Sequence, residues 1–370
     1  MSDKQAILFG YYGARNIGDE LMLRCLNRWL ERQGIRITVG ATVAPEVERL
    51  HGLPAFPNLP LLGQYAWVDV WLRGKGFGLL RRMWEADMIL AGGGDFIRDD
   101  RGWKQFSASI EKLMAGSLMG KPVALVNVGI GQPETGYGKR WLRSALRRCN
   151  RIIVRDRRSY ELCHELGAGS QTTFTVDIVM CLRELLGIHP SGRPLVDGRY
   201  IVVALRANPN IYKQYAVSEP RLRSLAAALD AVVTRRHCRV VFVPFQTGVE
   251  DDNAIHRTIA GMMRQRDAVL IRDWTMDVQE LVDIMSGAET IVAMRLHAAI
   301  LALAVGRDCT VLPYDKKVRE LCSEMRLEHL VEAATLDDSE AVARAIEDSM
   351  EKQWSRPGYF PSWTELTLTA

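Results

Sequence analysis

QAILFGYYGARNIGDELMLRCLNRWL (residues 5–30) decides the fold. An apolar run ends at Gly10, Gly10 and Gly13 turn the chain, and Asn16 stands where it caps a helix beginning near Ile17. Met22, Cys25, Leu26, Trp29 and Leu30 then recur at helical spacing toward a core, and Gly34 stops the helix. This is a strand-turn-helix unit.

The glycines do not carry a dinucleotide fingerprint. They are spaced G-x-x-G-x-x-x-x-G rather than G-x-G-x-x-G, and the next strand, IRITVG (35–40), ends in glycine where a ribose-binding acid belongs. Asp19 and Glu20 fall in the first helical turn, where the dipole favours negative charge. For Glu20 a purely local role is at least as good a reading. Asp19, beside Gly18 in the turn, is the better candidate for contacting a hydroxyl or acting as a base.

The same rhythm continues along the chain. ADMILAGGG (86–94), PVALVNVGIG (122–131), RIIVRD (151–156) and TTFTVD (172–177) are followed by RYIVVALRA (199–207), CRVVFVPFQ (238–246), AVLIRDW (268–274), ETIVAMRL (289–296) and DCTVLPY (308–314). Strands apolar on both faces, alternating with amphipathic helices, predict parallel sheets covered on both sides, an α/β doubly wound architecture. The Gly- and Pro-containing stretch after residue 183 reads as a linker. The expected organisation is an N-terminal Rossmann-like domain over 1–183, a linker over 184–198, a second Rossmann-like domain over 199–350 and a tail over 351–370. Two such domains facing across a cleft would place ligands at the carboxyl ends of their strands.

Composition narrows the function classes. With 370 residues, 48% hydrophobic and 25% charged, the chain is that of a globular protein with sizeable cores, and its formal net charge is +4. Arg and Lys crowd residues 73–82 and 139–158, which suits an anionic partner without choosing one. Seven scattered cysteines form no C-x-x-C pair and no Cys/His cluster, so reduced, buried thiols in a cytoplasmic protein are expected and no metal site is. MSDKQAILFG has no signal-peptide core, and no stretch reaches the length of a membrane span.

Chemistry concentrates at strand ends. IVAMRLHAAILAL (291–303) puts Arg295 and His297 at a strand-to-helix junction inside an apolar segment. Such burial needs a reason: arginine forks onto phosphate or carboxylate, and histidine moves a proton near neutral pH. A lone buried histidine is usually structural, but an arginine two residues away shifts the reading toward function. Arg206 ends another strand of the same half, and Tyr314, Asp315, Lys316 and Lys317 follow a later one. In the first half Gly92, Gly93, Gly94 and Asp95, then Gly129 and Gly131, form glycine-rich strand ends, for which a tight turn is the plain explanation and a shared ligand rim the functional one.

GYYGARNIGDE, AGGGDFIRD, NVGIGQP, VRDRRSYELCHELG, TVDIVM, VALR, VPFQTGVEDD, MRLHAAILAL and PYDKKV, in this order over about residues 7 to 325, resemble the bacterial polysaccharide pyruvyltransferase family. The resemblance implies a GT-B-like fold and transfer of a pyruvyl group from phosphoenolpyruvate to a sugar, forming a cyclic ketal. It implies a donor held by Arg206, Arg295 and His297. The residue types add Lys317 as a further donor contact, His297 as general acid and Asp19 assisting the attacking hydroxyl. The acceptor would lie on the N-terminal domain against Gly13, Asn16, Gly18, Gly93, Gly94 and Asp95. No cofactor, metal or nucleic acid is implied; the partners are the donor and a sugar or lipid-linked sugar. WVDVWLRGKGFGLLRRMW (67–84) serves equally well as a membrane-facing element or as packing on the N-terminal core.

Two other functions fit the residues. A GT-B glycosyltransferase would want an acid for a nucleotide ribose, such as Asp315 or Glu320, and would ignore phosphoenolpyruvate. A non-catalytic anion-binding assembly protein would tolerate Arg295→Ala and His297→Ala.

Overall fold

A computed structural model describes residues 4–61, 75–97, 103–207, 218–248, 250–313, 316–332, 334–352, 354 and 362–368, with backbone only for 75, 95, 96, 103–109, 316 and 317. The chain forms two compact units. One comprises Met1–Ala14, Met22–Cys181 and Tyr359–Ala370; the other comprises Arg15–Leu21 and Leu182–Gly358.

The first unit is built on β1 (Lys4–Phe9), β2 (Ile35–Ala41), β3 (Ala55–Pro57), β4 (Met88–Ile97), β5 (Val123–Ile130), β6 (Arg151–Val154) and β7 (Thr172–Phe174). They form one parallel sheet in the order β3-β2-β1-β4-β5-β6-β7. Its helices are α1 (Ile17–Glu31), whose first turns count with the other unit, α2 (Ala44–His51), α3 (Lys75–Glu85), α4 (Trp103–Leu118), α5 (Gly136–Leu146) and α6 (Arg157–Glu165). Every residue of β5, VALVNVGI, is buried, as a central parallel strand requires. The order reverses between β1 and β4, the topological switch point.

The second unit repeats the plan with β8 (Tyr200–Ala204), β9 (Arg239–Phe242), β10 (Val269–Ile271), β11 (Ile291–Ala293) and β12 (Cys309–Val311) in the order β10-β9-β8-β11-β12. Its helices are α7 (Leu182–Leu186), α8 (Glu219–Arg236), α9 (Asp252–Met262), α10 (Val278–Gly287), α11 (Leu296–Ala304), α12 (Lys316–Met325) and α13 (Ser339–Glu351). Here the switch point falls between β8 and β11.

The unit limits differ from the sequence expectation in three places. The 184–198 segment belongs to the second unit, where Ser191 anchors it by donating its backbone N–H and hydroxyl to the Asp283 carboxylate at 2.6 and 2.8 Å. The end of the tail returns to the first unit because Trp363 is fully buried there, its indole N–H donating to the Val176 carbonyl at 2.8 Å and its ring edge-on to Trp29. Arg15–Leu21 groups with the second unit for reasons given below. All seven cysteines are buried and unpaired with one another; burial pushes Cys149, Cys163 and Cys322 up to about 12, so they stay thiols.

Candidate functional site

The second sheet aligns two arginines by register. Ala204 of β8 pairs with Ala293 of β11, and two residues beyond each lies an arginine, Arg206 and Arg295. Parallel neighbours in register deliver both side chains to the same sheet edge at the switch point. Both arginines are buried.

Arg295 stands at the N-cap position of α11, and its side chain is held on several sides. Its Nε donates to Asp252 Oδ2 at 3.1 Å and its Nη2 to Asp252 Oδ1 at 2.5 Å, a bidentate pair. Its Nη1 donates to Gln246 Oε1 at 3.0 Å and its Nη2 to Glu250 Oε2 at 3.1 Å. Arg206 shares Glu250, donating from Nη2 to Oε1 at 2.9 Å. Burial pushes the Glu250 carboxyl up, but Arg206 and Arg295 more than offset that and hold it below the usual carboxylate range.

The start of α9 organises the loops around this cluster. Asp252, fully buried, accepts from the backbone N–H groups of Phe245, Gln246 and Ala207 as well as from Arg295. His256, one turn on, accepts the Leu205 N–H at Nε2 and meets Asn253 Oδ1 through Nδ1 at 2.9 Å, so Nδ1 carries the proton. Burial and the charge of Arg295 push His256 down to about 3, and it is neutral. Arg206 is therefore fixed through the backbone on both sides, at Leu205 and Ala207.

The N-terminal turn joins this same unit. Asn16 forms an antiparallel bridge with Gln246, Ile17 N–H donates to the Phe245 carbonyl at 2.8 Å, and Thr247 N–H donates to the Arg15 carbonyl at 3.3 Å. Asn16 Oδ1 accepts the Gly18 N–H as a helix cap, and its Nδ2 reaches Gln246 Oε1 at 3.4 Å. The Arg15 guanidinium lies 5.6 Å from the Trp274 ring centroid. Gly18 lies under the His297 ring, and a Cβ at residue 18 would stand 2.1 Å from Nδ1. Asp19 follows, buried in the first turn of α1. Asn16, Gly18 and Asp19, expected on an N-terminal acceptor wall, thus belong to the unit that holds Arg206, Arg295 and His297.

Gly13, Gly93 and Gly94 are in the first unit, with local reasons of their own. Gly13 has φ +78° and approaches the Val43 carbonyl so closely that a Cβ would lie 2.2 Å from its oxygen. Gly93 (φ +71°) lies against the Tyr12 hydroxyl, which donates to the Gly92 carbonyl at 2.5 Å, and Gly94 has φ +97°. Tyr12 thus seats on the glycine strand end at the β1/β4 switch point. The side chains of Asp95 and Lys317, and all of Tyr314 and Asp315, lie outside the described residues.

Gln246, Glu250 and Asp252 are site residues absent from the sequence expectation. VPFQTGVEDD carries their signal, a run of polar side chains between a strand end and a helix start, but acids there are also ordinary first-turn residues.

The family model for polysaccharide pyruvyl transferase matches residues 16–316. Amylovoran biosynthesis protein AmsJ of Erwinia amylovora is 20% identical over 271 residues, which are 70% of this chain and 64% of that protein. UDP-GlcNAc 2-epimerase of Methanocaldococcus jannaschii superposes with a TM-score of 0.65 at 13% identity, over 98% of this chain and 96% of the epimerase. Anabaena HepE, solved with UDP and glucose, gives 0.53 at 12% identity, over 94% and 90%. These likenesses show a GT-B-like fold of two Rossmann-like domains.

Proposed function

The chain belongs to the polysaccharide pyruvyl transferase family, and from that membership we propose that it transfers a pyruvyl group from phosphoenolpyruvate to a sugar of a cell-surface polysaccharide or its lipid-linked precursor, on the cytoplasmic side of the membrane. The observation that carries the reading is the alignment of Arg206 and Arg295 at paired strand ends, with His297 two residues beyond Arg295. Phosphoenolpyruvate bears a carboxylate and a phosphate, and two guanidinium groups beside the N-terminus of α11 suit such a multiply charged anion.

The chemistry follows from the residue types. Protonation of the donor's methylene carbon, with His297 as general acid, makes the adjacent carbon electrophilic. A sugar hydroxyl adds there and gives its proton to a base, the role we assign to Asp19. The carbon–oxygen bond to phosphate then breaks, phosphate departs, and a second sugar hydroxyl adds with loss of its proton to close the ketal. The donor is a substrate, and the scheme requires no cofactor. Incubation with phosphoenolpyruvate and a panel of lipid-linked and nitrophenyl sugars tests it. Phosphate release that depends on acceptor, with a matching ketal-linked mass gain, is expected; release without acceptor dependence ends the reading.

A specific observation favours contact with the membrane surface. Phe77 and Trp84, seven residues apart on α3, are each 65% exposed, and Leu118 at the end of α4 is 79% exposed. Arg81, exposed between the two aromatics, pairs with Glu85 one turn on at 2.8 Å, and Lys121 lies 5.6 Å from the Trp84 ring centroid. Such an aromatic and basic face suits an anionic lipid interface. No helix among the described residues is long and apolar enough to cross a membrane. Co-sedimentation with phosphatidylglycerol-containing vesicles, lost in Phe77→Ser/Trp84→Ser, checks this.

A further inference from the structure

Glu250 already occupies the two arginines assigned to the donor. Its Oε1 accepts from Arg206 at 2.9 Å and its Oε2 from Arg295 at 3.1 Å, one oxygen to each guanidinium. With Asp252 also on Arg295, two positive and two negative side chains meet at this edge, and a second anion gains little by approaching while both carboxylates stay.

The two acids are not alike. Asp252 is fully buried, bidentate on Arg295 and bonded to three backbone N–H groups, so removing it would dismantle the loops. The Glu250 side chain is 18% exposed and accepts hydrogen bonds from the two arginines. Gly248, two residues before it, has φ +96°, a conformation that suits glycine, with open space around its Cβ position.

We propose that Glu250 is an exchangeable carboxylate that stands in for the donor's carboxylate in the free protein, and that it swings off Arg206 and Arg295 when the donor binds. Two desolvated guanidinium groups side by side need a counter-ion, and Glu250 supplies it until substrate does. The exchange also selects: a ligand with one anionic group competes poorly with a tethered carboxylate, whereas a ligand that brings both a carboxylate and a phosphate displaces it. The inference rests on the donor assignment above and adds a specificity determinant to it.

Calorimetric titration of phosphoenolpyruvate, pyruvate and inorganic phosphate, each separately, into the wild-type protein and Glu250→Gln tests the exchange. Loss of the competing charge is expected to tighten phosphoenolpyruvate about tenfold and pyruvate more than phosphate, with the KM for phosphoenolpyruvate falling in parallel. Glu250→Ala should move in the same direction, and Asp252→Asn should instead lower the melting temperature. Unchanged or weaker binding of pyruvate in both Glu250 variants, or a raised KM, overturns the proposal and makes Glu250 a fixed support of the arginines. If wild-type protein neither binds nor consumes phosphoenolpyruvate, the donor assignment fails by itself. A gain for pyruvate in the Glu250 variants still reports on the exchange.

Discussion

The His297 ring lies against Gly18 so closely that a Cβ on residue 18 would fall 2.1 Å from Nδ1 and 2.2 Å from Cγ. Contacts that short do not exist between real atoms, so glycine at 18 is what lets the ring lie where it does. Gly18→Ala is therefore expected to turn His297 out of place, lowering kcat at least tenfold while costing about 1–3 kcal/mol in stability. Steady-state kinetics beside urea unfolding separates the two effects. Unimpaired turnover would mean the ring's position is immaterial to the reaction.

His297 itself should divide binding from chemistry. In His297→Gln the imidazole is lost, and Arg206 and Arg295 keep their partners, Glu250, Gln246 and Asp252. Loss of a general acid lowers kcat by about 100- to 10,000-fold, with donor affinity within a few-fold of wild type by calorimetry. A drop in affinity with kcat intact would instead make His297 a donor-binding group.

The two arginines should respond differently to removal. Arg295→Met strands the Asp252 carboxylate, which is fully buried, and is expected to cost about 3–5 kcal/mol of stability. The double variant Arg295→Met/Asp252→Asn should recover part of that loss without recovering activity. Arg206→Met leaves Glu250 still paired with Arg295, so it should mainly raise the donor KM. Urea midpoints and KM values for the three variants check the division. For the same reason Arg295→Ala is a poor test of catalysis, since an unstable protein and an inactive one look alike.

What could be read from the sequence, and what could not, follows the range of the forces involved. Strand and helix identity is local and periodic, so VALVNVGI and IVVA declare themselves, and Arg206 and Arg295 stand out as charges at apolar strand ends. β3, only Ala-Phe-Pro, has too few residues to show a period, and its pairing with β2 is what makes it a strand. The placement of Asn16 and Gly18 in the second unit depends on backbone bonds from Ile17 to Phe245 and from Thr247 to Arg15, between segments more than two hundred residues apart, and a turn motif cannot announce a distant partner. Gly18 looked like a turn glycine because turns are the usual reason for glycine, whereas its φ is not positive and the reason is a ring. Asp252 stands in the first turn of α9, where acids are ordinary, and the pairing of β9 with β8 and of β8 with β11 is what brings Arg295 to it.

The Gly13 turn offers a contrast with Gly18. With φ +78° and the Val43 carbonyl in the way, Gly13→Ala carries both a backbone penalty and a backbone clash. A loss of about 2 kcal/mol or more is expected, read as a lower urea midpoint. Its KM and kcat, measured well below the melting temperature, should stay near wild type. A selective rise in the acceptor KM would give Gly13 a direct part in acceptor binding.

His256 should leave a mark on the pH dependence of stability. Its folded pKa is pushed down to about 3 by burial and by Arg295, against an ordinary value of 6.5. Between those values the unfolded chain binds a proton at this residue that the folded protein refuses. Stability from this group is therefore complete above about pH 6.5 and is lost as the pH falls toward 3. The slope reaches at most about 1.4 kcal/mol per pH unit for one proton. Protonation would put a donor where Nε2 must accept the Leu205 N–H, and a positive charge near Arg295, so the backbone that positions Arg206 loosens as the proton binds. His256→Gln keeps a side-chain acceptor without the titration. Its urea midpoints between pH 6.5 and 5, where few carboxylates titrate, should fall less steeply than those of the wild type. Parallel slopes for the two proteins would show that His256 is protonated in the folded state or exchanges its proton without consequence, and the neutral tautomer drawn from the Leu205 contact would be wrong.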